Sequence, residues 1–165
     1  MSDELKIKLK WNLQALKEML PEIVKSSQRR LGPLILDAVK AELAIGKSPV
    51  EGQGRLVGYS AGYKNEIKTI YSKKYGKRER PVNLYLSGTM VRSGYTKDAQ
   101  NGVTVGFKDI KASYHNDLGA GKSKVKRRIL PTNPGETFSR TIMKKVMTWL
   151  QNEIISKAIQ RANRR

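Results

Sequence analysis

The chain has one histidine, His115, and no cysteine, so acid–base or metal chemistry would rest on His115 and on carboxylates near it in sequence, Asp109 and Asp117. The 14 acidic residues are few and scattered, and no nucleophile stands in a recognisable pattern with a base. An imidazole hydrogen-bonded within a strand or loop is the simpler reading of His115. Gly119-Ala120-Gly121-Lys122-Ser123 ends like a phosphate-binding loop. That motif needs a glycine where Asn116 stands, and the residues that follow, Lys124-Val125-Lys126-Arg127-Arg128, do not open an amphipathic helix. Gly52-Gln53-Gly54 lacks the hydrophobic strand that precedes a dinucleotide fingerprint. The expectation is a protein that is not an enzyme, with no metal and no cofactor.

What the sequence does offer is charge. There are 33 Lys and Arg against 14 Asp and Glu, a formal net charge of +19. Such an excess repels itself in a compact fold, so it points to a polyanion or to acidic neighbours in an assembly. Two tracts concentrate it. In the first, Lys122, Lys124, Lys126 and Arg128 alternate, with Arg127 between the last two and no acid among them; an extended arm would present the alternating four on one face. The second holds Lys73, Lys74, Lys77, Arg78, Glu79 and Arg80, expected to be exposed and unstructured before assembly. The first arm contains no aromatic residue of the kind that single-strand binders interleave with cations. Contact with nucleic acid and contact with an acidic protein surface both remain open on composition.

The elements that would position these tracts follow from periodicity. Apolar residues from Leu13 to Leu43 recur at three and four, predicting helix; Pro21 and Gly32-Pro33 predict two or three pieces or a kinked rod. Gly46 to Tyr75 reads as a glycine-rich loop carrying Tyr59, Tyr63, Tyr71 and Tyr75. Pro81 starts a predicted strand, Val82 to Leu86, closed by Ser87-Gly88. A hairpin is expected from Val91 to Tyr95 and Val103 to Phe107, turning through Asp98 and Asn101-Gly102. After Pro131 and Pro134-Gly135, Thr137 or Ser139 can cap a final helix whose stripe runs through Phe138, Ile142, Val146, Trp149, Leu150, Ile154, Ala158 and Ile159. Its tail cations Lys157, Arg161, Arg164 and Arg165 suit a helix C-terminus. The expectation is a single α+β domain over 1–165, a small antiparallel sheet packed against N-terminal helices and a long C-terminal helix. The N-terminus, MSDELKIKLKW, lacks the apolar core of a signal peptide, and no run reaches the ~20 apolar residues of a membrane span. A reducing compartment is expected.

Several short motifs fall in one order: Gly46-Lys47-Ser48-Pro49-Val50 with Gly54 and Tyr59-Ser60; then Pro81 to Ser93, with Leu86-Ser87-Gly88-Thr89-Met90; then Val103 to Gly106 leading to Ala112-Ser113-Tyr114-His115-Asn116; then Arg127 to Pro131 before the last helix. In this order the chain resembles the small virion-morphogenesis proteins of tailed bacteriophages, the tail-completion or neck family. The chain departs from the pattern after Asn116, where Asp117-Leu118 delays the glycine, and in the unusual charge of Lys122 to Arg128. The resemblance implies a structural virion protein at the head–tail junction, acting as a homo-oligomeric ring, most often a hexamer or dodecamer. Its expected partners are other neck, connector and tail proteins and, without sequence specificity, packaged double-stranded DNA, with assembly in the host cytoplasm and no membrane. On that reading Lys122, Lys124, Lys126, Arg127 and Arg128, with Lys73, Lys74, Lys77, Arg78 and Arg80, face the DNA channel or an acidic partner. Tyr59, Tyr63, Val82, Leu84, Leu86, Val103, Val105 and Phe107 are the candidate subunit interface. A tail-terminator ring subunit and a free basic nucleic-acid-binding protein are the alternatives.

Overall fold

The computed structural model describes residues 13–99, 102–122 and 124–162, without the side chains of residues 13–24, 28, 158, 161 and 162. The N-terminal segment, the turn position Asn101, Ser123 and the tail residues Arg164 and Arg165 lie outside the described residues. So do the side chains expected on the apolar stripes at Leu13, Leu16, Leu20, Ile23, Val24 and Ala158, and that of Arg161.

Helix α1 (Leu13–Ala44) is the element on which the rest is built. It runs through both Pro21 and Gly32-Pro33 as one continuous helix, not the two or three pieces that the prolines predict. Its neighbours supply the reason. A side-chain carbon at Gly32 would lie 2.8 Å from Val103 Cγ2 and 2.9 Å from Thr96 Cβ, and one at Gly94 would lie 2.9 Å from Leu36 Cδ1. The helix is therefore clamped against the hairpin along positions 32 and 36, with the glycine admitting the contact. Two residues away around the helix, a rotation of about 200°, Arg30 pairs with Glu153 at 2.7 Å and sits over the Trp149 ring. Packing on opposite faces holds the proline segment helical although it lacks an N–H.

The hairpin pairs β1 (Gly94–Ala99) with β2 (Gly102–Phe107), antiparallel, in register from Gly94↔Phe107 to Ala99↔Gly102. The strand starts later than expected, because Val91 belongs to the short helix Thr89–Arg92 and is buried in the core. The predicted strand Val82–Leu86 is absent; the segment is irregular. Its carbonyls are taken by side chains instead of by a neighbouring strand, as Lys77 Nζ binds the carbonyls of Asn83 and Tyr85. The loop expected up to Tyr75 ends at Ser60. From there α2 (Ala61–Glu66) passes through one π turn, Ile67–Tyr71, into α3 (Ser72–Tyr75); the short helix Thr89–Arg92 is α4, and α5 (Lys111–Ser113) follows the hairpin.

The last helix, α6 (Arg140–Ala162), is capped by Ser139, whose Oγ accepts from Ile142 N at 3.4 Å and donates to the buried Glu42 at 2.8 Å. Ile142 and Val146 enter the core with Ile35, Ala38, Val39 and Leu43 of α1 and with Leu56, Met90, Ala112 and Ile129. The fold is α+β, a two-stranded antiparallel sheet and a long C-terminal helix packed on the N-terminal helix.

Candidate functional site

Tyr59 is the residue around which the site is assembled. Ser60, next to it, caps the helix that begins at Ala61, its Oγ accepting from Tyr63 N at 3.3 Å. The turns that follow bring Tyr63, Tyr71 and Tyr75 into a ladder with Tyr59, with ring centroids 5.0, 5.5 and 6.2 Å apart. The Tyr59 hydroxyl donates to the Asn83 carbonyl, and burial, with Tyr63 beside it, pushes its pKa up to about 12 against the opposing pull of Arg127.

Two cations sit over the Tyr59 ring, Lys77 at 5.2 Å and Arg127 at 5.7 Å from its centroid. Both residues are 7% exposed. The Lys77 ammonium spends its three donors on the Asn83 carbonyl at 2.8 Å, the Asn83 side-chain oxygen and the Tyr85 carbonyl. With oxygen dipoles but no carboxylate to hold it, burial lowers its pKa to about 8. Arg127 donates from Nε to Val57 O at 2.9 Å and from Nη2 to Gly58 O at 2.8 Å, leaving Nη1 without a partner among the described residues. Burial also lowers its pKa.

Behind these cations lies a second set of bonds. Arg127 N donates to His115 O at 2.6 Å, and the buried Asn116 takes both Ile129 N and Leu130 N on Oδ1, at 2.8 and 2.9 Å. Its Nδ2 donates to Asp117 Oδ1 and Thr132 Oγ1, each at 2.9 Å. Arg128 completes the cluster, binding Asp117 at 2.6 Å and Glu136 through one oxygen. Burial works to raise the Asp117 pKa, but hydrogen bonds from Asn116, Thr132 and Arg128 hold it below the usual range. Glu136 is likewise held low, first by the Asn133 backbone and then by Arg128. His115 is partly buried with an unpartnered Nδ1; desolvation and the nearby Arg127 depress its pKa to about 4, so it is neutral near pH 7. Among the described residues no three His, Asp or Glu come together as a metal site.

These segments enclose a cleft of about 660 Å³. Tyr59, Tyr63, Leu84, Leu86 and Met90 form much of its apolar lining, and Lys77, Lys111, Lys122 and Arg127 supply its charge. None of the described residues lining it is an aspartate or glutamate.

The predicted basic arm is divided by the structure. Ala120 bridges to Val125, and Lys124 turns the chain with φ 49°, so Lys122, Lys124 and Lys126 are exposed on a tight turn while Arg127 and Arg128 point inward. A single row of cations does not form. Lys73, Lys74, Arg78 and Arg80 are exposed as expected, but Lys73 and Lys74 lie in the helix Ser72–Tyr75 and not in an unstructured tract, and Lys77 is buried. Of the residues expected at a subunit interface, Val82, Leu84, Val103, Val105 and Phe107 pack partly buried against this chain's own core. Tyr59, Tyr63 and Leu86 line the cleft. Lys111 on the rim and the organising role of Asn116 were not singled out from sequence. The i, i+4 spacing of Tyr59 with Tyr63 and of Tyr71 with Tyr75 carried the signal for the helix that builds one wall. Compared with models of known families, with curated proteins and with solved structures, the chain has no significant match.

Proposed function

We propose that this chain is a structural subunit of a tailed-phage virion, a neck or tail-completion protein that closes with copies of itself into a hexameric or dodecameric ring around the DNA path. One observation carries the reading. The motifs on which the resemblance rests, far apart in sequence, come together in one hydrogen-bonded unit. Ser48 Oγ donates to Arg128 O at 2.6 Å, across 80 residues; Tyr59 reaches Asn83; Arg127 N reaches His115; and Asn116 holds Ile129 and Leu130. A set of short matches that arose by chance would have no reason to build one another's supports.

The mechanism is shape and charge. Each protomer carries +19, and a closed ring sums the field of its copies at the lumen, where Lys122, Lys124, Lys126, Lys73, Lys74, Arg78 and Arg80 meet duplex DNA or grip an acidic neighbouring ring. Assembly takes place in the host cytoplasm and the finished location is the virion's head–tail junction. Met143, Met147, Ile155 and Ile159 of α6, each at least 40% exposed, give an apolar strip for the next subunit.

Negative-stain electron microscopy of the purified protein tests this. Closed rings with an opening wide enough for a duplex are expected. Isolated monomers that bind duplex DNA, with log affinity falling by about 0.9 per phosphate contacted for each unit of log salt, would mark a free nucleic-acid binder instead.

A further inference from the structure

We propose that the cleft beside Tyr59 is a receptor for an acidic peptide segment of a partner protein, one that carries an apolar anchor between carboxylates. The inference rests on the cleft alone and does not depend on ring formation. Its charge is uncompensated: four cations and no acid line it. Lys77 is saturated by three oxygens, but Arg127 Nη1 has no partner among the described residues, and neither do the side-chain ammonium groups of the exposed rim residues Lys111 and Lys122. A carboxylate entering the cleft meets a guanidinium edge already fixed by two backbone carbonyls, the geometry in which an arginine binds an oxyanion with little further loss of freedom.

The walls select a peptide over a nucleic acid. The Tyr59 face is already covered by Lys77 and Arg127, so it has no room to stack a base. The half-buried Leu84 and Leu86 add an aliphatic part to the lining, which suits a leucine or phenylalanine side chain. A duplex is too broad to enter.

Fluorescence anisotropy on the full chain would use a labelled Glu-Asp-Phe-Glu-Asp-Leu peptide, its amide counterpart Gln-Asn-Phe-Gln-Asn-Leu, and a labelled ten-nucleotide oligothymidine. The acidic peptide should bind at least about tenfold tighter than the amide. Because any anion is drawn to a chain of this charge, the paired variant Lys111→Glu/Lys122→Glu is compared with Lys144→Glu/Lys145→Glu, an equal charge change on the exposed side of α6. The rim pair should lower affinity about tenfold and the α6 pair less than about twofold. Arg127→Gln tests the inner contact, and the exposed rim variants keep the test valid if that variant fails to fold. Equal loss from both pairs, equal binding of the amide, or oligothymidine binding more tightly through Lys111 and Lys122 would each overturn the proposal.

Discussion

Asn116 shows how one side chain can fix two segments. Its Oδ1 is the acceptor for two consecutive backbone donors, Ile129 N in the core and Leu130 N beside it. Asn116→Ala would strand both, at roughly 1–3 kcal/mol each, so a loss of about 2–6 kcal/mol is expected in urea unfolding at pH 7. His115 makes a separate prediction. Its folded pKa, about 4, lies below the ordinary 6.5, so the unfolded chain binds the extra proton between those values. Its penalty is absent above about pH 6.5, grows as the pH falls toward 4 and is constant below that. With the ring partly solvated, about 1–2 kcal/mol of stability should be lost across this window. His115→Gln should flatten that part of the pH–stability curve. A wild-type curve without the decline between pH 6.5 and 4 would contradict the buried, neutral imidazole.

At the scale of elements, the long helices were legible because their apolar periods persist over many turns, and α6 begins at the Ser139 cap that its sequence offered. What sequence alone missed was decided by contacts distant along the chain. The prolines of α1 pointed to breaks, yet the hairpin on one face and α6 on another keep it continuous. Val82 to Leu86 has strand-forming residues, yet Lys77 and Tyr59 take the carbonyls that a partner strand would use. The cleft was invisible for the same reason: Lys77 looked like one more cation of a solvated tract until its three oxygen partners came from Asn83 and Tyr85. Two substitutions test this level. Gly32→Ala, favourable in an isolated helix by about 1 kcal/mol, should instead destabilise by about 1–3 kcal/mol, because the new methyl meets Val103 and Thr96. Ser139→Ala should cost about 1–2 kcal/mol in thermal unfolding, removing the cap and a donor to buried Glu42. A neutral outcome for Gly32→Ala would mean that α1 and the hairpin are not in close contact.

The whole molecule is a small α+β unit with a hydrogen-bonded centre and a surface whose charge its few carboxylates do not balance. Among the described ion pairs, Arg30–Glu153, Lys68–Glu79, Arg128 with Asp117 and Glu136, and Arg140–Glu51 account for five of the acids, and most of the cations remain outside them. Salt should therefore favour self-association by screening protomer repulsion, while weakening any contact with DNA. Glutamate at both Ile155 and Ile159 should abolish assembly and leave the fold intact, since both side chains are more than half exposed or half exposed in the single chain. The measurement that bears most directly on the central claim is the molar mass in solution by light scattering across a range of salt concentrations. A discrete species of six or twelve protomers is expected, favoured as salt rises and lost in the Ile155→Glu/Ile159→Glu variant. A chain that stays monomeric at every salt concentration, and binds duplex DNA with a steep salt dependence, would contradict it.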